Sequence, residues 1–125
     1  MAKLRHIAIA VRDIEKAAKF YETTFGLQRV LATAKRINLS DGTMNLTLLP
    51  SDDRAGDPRE DFVGLHHLGF VVEDVPATNR QIEAHGGRAV QGSTDPGRDH
   101  TSESRYWDPN GVLMDITTKA WIGTK

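Results

Sequence analysis

Cysteine is absent from this 125-residue chain. That excludes disulfides, thiolate zinc sites and a cysteine nucleophile. A surplus of one charge is missing too, with 16 basic side chains against 17 acidic ones. A nucleic-acid binder would carry a basic stripe, and none is visible. No apolar run reaches the length of a membrane span, so no membrane partner is expected. Met-Ala-Lys-Leu-Arg leads straight into an alternating segment with no signal peptide ahead of it, which makes a cytoplasmic location the expectation. Low-complexity stretches are missing as well. With 38% hydrophobic and 26% charged residues the composition is that of a globular protein. The length suits one domain over 1–125, or two halves fused around one core.

What the chain does contain is a repeat. His6-Ile-Ala-Ile-Ala-Val-Arg-Asp13 returns as His67-Leu-Gly-Phe-Val-Val-Glu-Asp74. Each copy continues into a helix-like segment that ends near glycine, at Phe25-Gly26 and His85-Gly86. Each closes with a further echo, Asn45-Leu-Thr47 after Asp41-Gly42 and Asp115-Ile-Thr117 after Asn110-Gly111. A repeat of this length marks one supersecondary unit used twice.

Within the first copy, Leu4 to Val11 alternates, with Ile7, Ile9 and Val11 on one face and His6, Ala8 and Ala10 on the other. Asp13 suits an N-cap, and Ile14, Ala17, Ala18, Tyr21 and Phe25 follow at helical spacing up to Gly26. Strands are expected near 28–31, 33–40 and 43–49, with Asp41-Gly42 turning the last pair. Polar residues 51–63 read as a linker. The second copy repeats the pattern: a strand at 65–72, a helix capped by Asp74 with Pro76 in its first turn, then strands near 88–91, 102–107 and 112–118. Each copy therefore reads β-α-β-β-β. The expected fold is α+β, with modules at 4–50 and 64–118 forming a curved mixed sheet around a central cavity.

Strand periodicity sorts side chains onto faces. His6 lies opposite the helix-packing residues of its strand, and so does His67. Asp115 lies opposite Val112, Met114 and Ile116, while Asn45 and Thr47 take the corresponding face of the first copy. If the copies pair, His6, His67 and Asp115 meet, with Asn45 nearby. Two imidazoles and a carboxylate form a facial ligand set that suits Fe, Zn, Mn, Ni or Co and leaves positions open for a small-molecule substrate. Glu103, Arg105 and Trp107 share one face of their strand. There Glu103 is a candidate catalytic base, with His100 on the preceding loop as a second catalytic candidate. Arg105, Trp107 and Asn45 are candidate substrate contacts.

RHIAIAVRDIEKAAKFYETTFGL, GLHHLGFVVEDV and YWDPNGVLMDI resemble the vicinal oxygen chelate superfamily. That group includes glyoxalase I, methylmalonyl-CoA epimerase, extradiol dioxygenases and the bleomycin resistance proteins. The resemblance spans about residues 4 to 118. It implies paired βαβββ modules around a divalent metal held from the first and last strands of each module, here by His6, His67 and Asp115. It also implies a homodimer, with closure of the two modules within one chain as the alternative. The first module's last-strand ligand is usually Glu or Gln in glyoxalase-like members, whereas the nearest residues here are Asn45, Leu46 and Thr47. Asp115 replaces the more usual Glu.

The resemblance implies lyase or isomerase chemistry through a metal-chelated enolate. One alternative is an extradiol-type ring-cleaving dioxygenase using Fe(II). His100 and Tyr106 resemble the histidine and tyrosine of that group, but Arg105 stands at the expected tyrosine place. The other alternative is a non-catalytic binding protein of the bleomycin-resistance kind.

Overall fold

In a computed structural model the structure describes residues 1–52, 61–92 and 101–125. The expected linker and the loop before His100 lie largely outside the described residues. The elements run β1 (Lys3–Val11), α1 (Ile14–Phe25), β2 (Gln28–Thr33), β3 (Arg36–Ser40), β4 (Asn45–Pro50), β5 (Gly64–Val71), α2 (Val75–Ala84), β6 (Arg88–Ala89), β7 (Glu103–Trp107) and β8 (Leu113–Thr117). This is the expected twofold βαβββ order. In each repeat the outer strand pair is antiparallel, and the last strand returns parallel to the first. The strand order is β2-β3-β4-β1 in the first repeat and β5-β8-β7-β6 in the second.

Both helices start by the same device. Asp13 Oδ1 accepts from the Lys16 amide at 3.0 Å, and Asp74 Oδ1 accepts from the Ala77 amide at 2.9 Å. Each bond satisfies an amide that the first helical turn cannot. Gly26, with φ 72°, closes α1 in the left-handed region that a side chain would resist. At the end of α2, His85 Nδ1 lies 2.7 Å from the Gln81 carbonyl, where an N–H donor meets the negative end of the helix.

Contacts divide the chain into two compact units. One comprises residues 6–66 with 121–125, the other 1–5 with 67–120. In the first, Ile14, Ala17, Ala18 and Tyr21 of α1 pack on Ile9, Val11, Ile37, Leu39 and Leu48. Leu39 and Leu48 are completely buried, each stabilising the fold by about 1.5–3 kcal/mol. Phe25, expected on this face, is instead 65% exposed, and Leu27 packs in its place. The helix stops at Phe25, and the left-handed turn at Gly26 brings the following residue back to the sheet. Arg29 of β2 bonds both Glu15 and Glu22, tying β2 to the same helix.

The second unit has a smaller core: Val72, Val75 and Ile116, with Phe70, Ile82 and Met114 against them. Val112, expected on that face, lies before β8 begins and is exposed. Residues 121–125 pack with the first repeat rather than with the strand they follow. Among the described residues no helix is long and apolar enough to cross a membrane.

Candidate functional site

His6 sits on β1 in register with Asn45 of β4, and both are buried. The His6 Nδ1 lies 2.8 Å from Asn45 Oδ1. The orientation of the Asn45 amide follows from its other contacts. Its Nδ2 stands 2.9 Å from the backbone carbonyl of Ile122, which can only accept, and 3.2 Å from Asn38 Oδ1. The amide nitrogen must therefore face Ile122, so the oxygen faces His6. An oxygen there requires the proton on Nδ1, and the lone pair then belongs to Nε2. This is the form in which an imidazole can ligate a metal through Nε2 while an outer partner holds its other nitrogen. The Thr47 hydroxyl lies 2.7 Å from Asn38 Oδ1 and 2.8 Å from Asn45 Oδ1, completing a buried polar cluster. The indole of Trp121 stacks on His6 with centroids 4.5 Å apart and planes 5° from parallel.

The second unit has a charged counterpart. His67 Nε2 lies 3.1 Å from Asp115 Oδ2, and Arg105 Nε donates to Asp115 Oδ1 at 2.6 Å. Burial would raise the Asp115 carboxyl, but the hydrogen bond and charge of His67, followed by Arg105, draw it well below the ordinary carboxylate range. The two carboxylate oxygens thus have different partners. This donor pair fits a metal. Two ligand atoms each ~2.1 Å from an ion and ~90° apart stand about 3.0 Å from one another, close to the 3.1 Å between Nε2 and Oδ2. Arg105 on the second oxygen would orient the carboxylate as an outer partner.

The pairing registers correct one equivalence read from the repeat. His67 pairs with Leu113 and Gly69 with Asp115, whereas His6 pairs with Asn45 and Ala8 with Thr47. Thr47, not Asn45, is therefore the first-repeat counterpart of Asp115, and Asn45 corresponds to Leu113. A shift of two residues keeps the same face, so strand periodicity cannot detect it.

Glu103, Arg105 and Trp107 alternate with Ser104 and Tyr106. The latter two point at α2, where the Ser104 hydroxyl lies 2.6 Å from Asn79 Oδ1 and the Tyr106 hydroxyl donates to Glu83 Oε1 at 3.0 Å. Burial, then Glu83, pushes the Tyr106 phenol up to about 12. Arg105 pairs across β8 with Asp115, so Glu103, Arg105 and Trp107 share the Asp115 face. Glu103 is exposed there. His100 lies outside the described residues. Pattern reading passed over Asn38, Ser40 and Trp121. The alternation Ile37-Asn38-Leu39-Ser40 carried a signal for the first two, since it sets polar side chains on the Asn45 and Thr47 face. Trp121 had no local signal.

The family model for the Glyoxalase/Bleomycin resistance protein/Dioxygenase superfamily matches residues 3–116, and the chain belongs to that superfamily. Among solved structures, a hypothetical protein, BH1468, from Bacillus halodurans C-125 is 21% identical, with 96% of each chain covered and a TM-score of 0.71. A Streptomyces coelicolor methylmalonyl-CoA epimerase variant, in complex with 2-nitronate-propionyl-CoA, is 24% identical, with 95% of this chain and 98% of that one covered and a TM-score of 0.68. A methylmalonyl-CoA epimerase in complex with methylmalonyl-CoA and NH4+ is 23% identical, with 100% and 99% covered and a TM-score of 0.70. At these identities the likeness is one of fold. No curated protein sequence matches the chain.

Proposed function

We propose that the chain is a divalent-metal-dependent enzyme of isomerase or lyase type that moves a proton alpha to a carbonyl of a small oxygenated metabolite. The observation that carries the reading is the partly buried His67–Asp115 pair, oriented by Arg105, with His6 at the repeat-equivalent place. His6, His67 and Asp115 would hold the ion. A bound divalent cation, whether Fe, Zn, Mn, Ni or Co, supplies Lewis-acid stabilisation of an enolate oxygen.

The remaining chemistry falls to side chains of this chain. His67 and Arg105 lower the Asp115 carboxyl, which makes it a weaker base than an ordinary carboxylate. Thr47 at the first-repeat position has no basic oxygen. Proton transfer is therefore assigned to Glu103, on the Asp115 face, with His100 as the second candidate. The guanidinium N–H groups of Arg105 beyond Nε, and the indole of Trp107, would meet the substrate on that face. Acyl thioesters like those held by the epimerases of similar fold are the first substrate class to test.

The test is reconstitution of metal-stripped protein with each of the five cations, elemental analysis, and NMR observation of α-proton exchange in D2O. The expected result is about one ion per chain and exchange that is lost in His6→Ala and Glu103→Gln. A second reading draws on Thr47, which stands where glyoxalase-like members usually carry a Glu or Gln ligand. On that reading the protein binds a small molecule without turnover. No bound cation after reconstitution, together with unchanged ligand binding in His6→Ala, would establish the binder and reject the enzyme. Ring cleavage of catechols is not favoured, because the Tyr106 hydroxyl is bonded to Glu83 on the opposite face of its strand.

A further inference from the structure

Residues 121–123 touch the His6 cluster at three points. The Trp121 ring lies flat on the imidazole. The Ile122 carbonyl accepts from Asn45 Nδ2. The Gly123 carbonyl accepts from the Ser40 hydroxyl at 2.6 Å. Gly123 itself has φ 83°, and a Cβ there would stand 2.6 Å from Ser40 Cβ. That separation is too close for any side chain, and the backbone conformation is one that side chains resist. The segment is thus seated closely on β3 and β4. Its placement contributes no apolar residue to the first unit's core cluster. Its hydrogen bonds to those strands go to Ser40 and Asn45, which flank the histidine position.

We infer that this segment is an internal strap whose Ile122 carbonyl selects the tautomer of His6. The chain of causes is short. The Ile122 carbonyl accepts only, so it turns the Asn45 nitrogen towards itself. The Asn45 oxygen then faces His6 and holds the proton on Nδ1. Nε2 is left as the basic nitrogen, with its ring held flat under Trp121. Asn45 is on this account a positioning residue rather than a fourth metal ligand or a substrate contact. Its Oδ1 takes His6 and Thr47, and its Nδ2 serves Ile122 and Asn38. The importance of the tautomer for cation binding rests on the proposed function above, but the tautomer assignment does not.

The two are separated by one experiment. Protein labelled with 15N in its histidine rings is stripped of metal and examined at pH 8 by long-range 1H–15N correlation, with His6 assigned by difference from His6→Ala. Wild type is expected to show His6 protonated at Nδ1. Folded Asn45→Leu, checked by its amide spectrum, removes the acceptor facing Nδ1 and should shift His6 towards the Nε2–H form. Asn45→Asp restores an acceptor and should restore Nδ1–H. Gly123→Val, which dislodges the strap and leaves Asn45 in place, should give a mixture of the two forms. An Nε2–H His6 in wild type overturns the inference without recourse to any variant, as does an unchanged Nδ1–H form in folded Asn45→Leu. An unchanged form in Gly123→Val overturns the role of the strap. Zinc titration then bears on the functional reading alone. If His6 is Nδ1–H and no zinc binds, the metal site fails and the strap stands. If zinc binds, Asn45→Leu should weaken it about 10- to 100-fold, the range for outer-partner changes.

Discussion

The two repeats place the same strands, caps and histidines, yet they surround those histidines with opposite chemistry. Position by position, Thr47 answers to Asp115, Asn38 to Arg105, Ser40 to Trp107 and Asn45 to Leu113. The first repeat is neutral and hydrogen-bonded: an asparagine, a threonine and a second asparagine around His6, all buried. The second is ionic and partly exposed: a carboxylate shared between His67 and an arginine. The comparison teaches that a duplicated scaffold keeps what folding needs, caps and alternation, while the inward-facing positions are at liberty to diverge. On the proposed reading, one half would supply charge to a cation and the other a histidine of defined tautomer. Neutral groups suit the more buried half, since an unpaired carboxylate there would carry a larger desolvation cost.

The comparison breaks most severely at Asp115. Asp115→Ala removes the only carboxylate of the proposed ligand set and strands Arg105 beside His67. Metal affinity, measured by competition with a chromophoric chelator, is expected to fall by more than the ~100-fold upper range for outer partners. Stability should follow pH in a set direction. The folded-state carboxyl is depressed, so the stability it contributes is fully present above its unfolded value of about 3.9 and is lost as pH falls below that. The melting temperature of Asp115→Asn should therefore lie below wild type from neutral pH down to about pH 4, and the two should converge in more acidic solution. A gap that widened below pH 4 would refute the pairing.

Arg105→Met tests whether the second repeat needs its outer charge. Affinity should drop about 10- to 100-fold with the ligands intact, and a smaller loss would make Arg105 a surface ion pair only. Asn45→Leu tests the neutral half by stability. It takes this partner from the Ile122 carbonyl and the His6 ring in a buried place, which is expected to cost about 1–3 kcal/mol in a denaturant titration. Thr47→Val should have the smallest effect, about 1 kcal/mol for one hydroxyl, with metal affinity unchanged. A marked loss of metal in Thr47→Val would make Thr47 the true functional counterpart of Asp115 and remove the contrast between the halves.

Most of the scaffold was legible in the residues. Asp13 and Asp74 announced the two helix starts, and the alternation around His6 and His67 set both histidines apart from the helix-packing side chains. The shared face of Glu103, Arg105 and Trp107 also followed from alternation, and Tyr106 between them is buried against α2. Other features were less legible. Phe25 fell at helical spacing but is the last residue of α1 and is exposed, and Leu27 packs in its place. The echo of Asn45-Leu-Thr47 with Asp115-Ile-Thr117 matched residue types, not strand register, and so linked Asn45 with the wrong partner. Trp121 offered no periodic neighbours from which a face could be read.

Local sequence thus determined where strands and helices begin, which side chains share a face, and that two equivalent histidines exist, because caps act over three residues and alternation over two. Tertiary structure decided the register of β4 on β1, the pairing of Arg105 with Asp115, and the return of residues 121–123 to the first repeat. Those depend on contacts between residues 10 to 83 positions apart, and a two-residue slip or a different resting place for a short segment leaves every local preference satisfied.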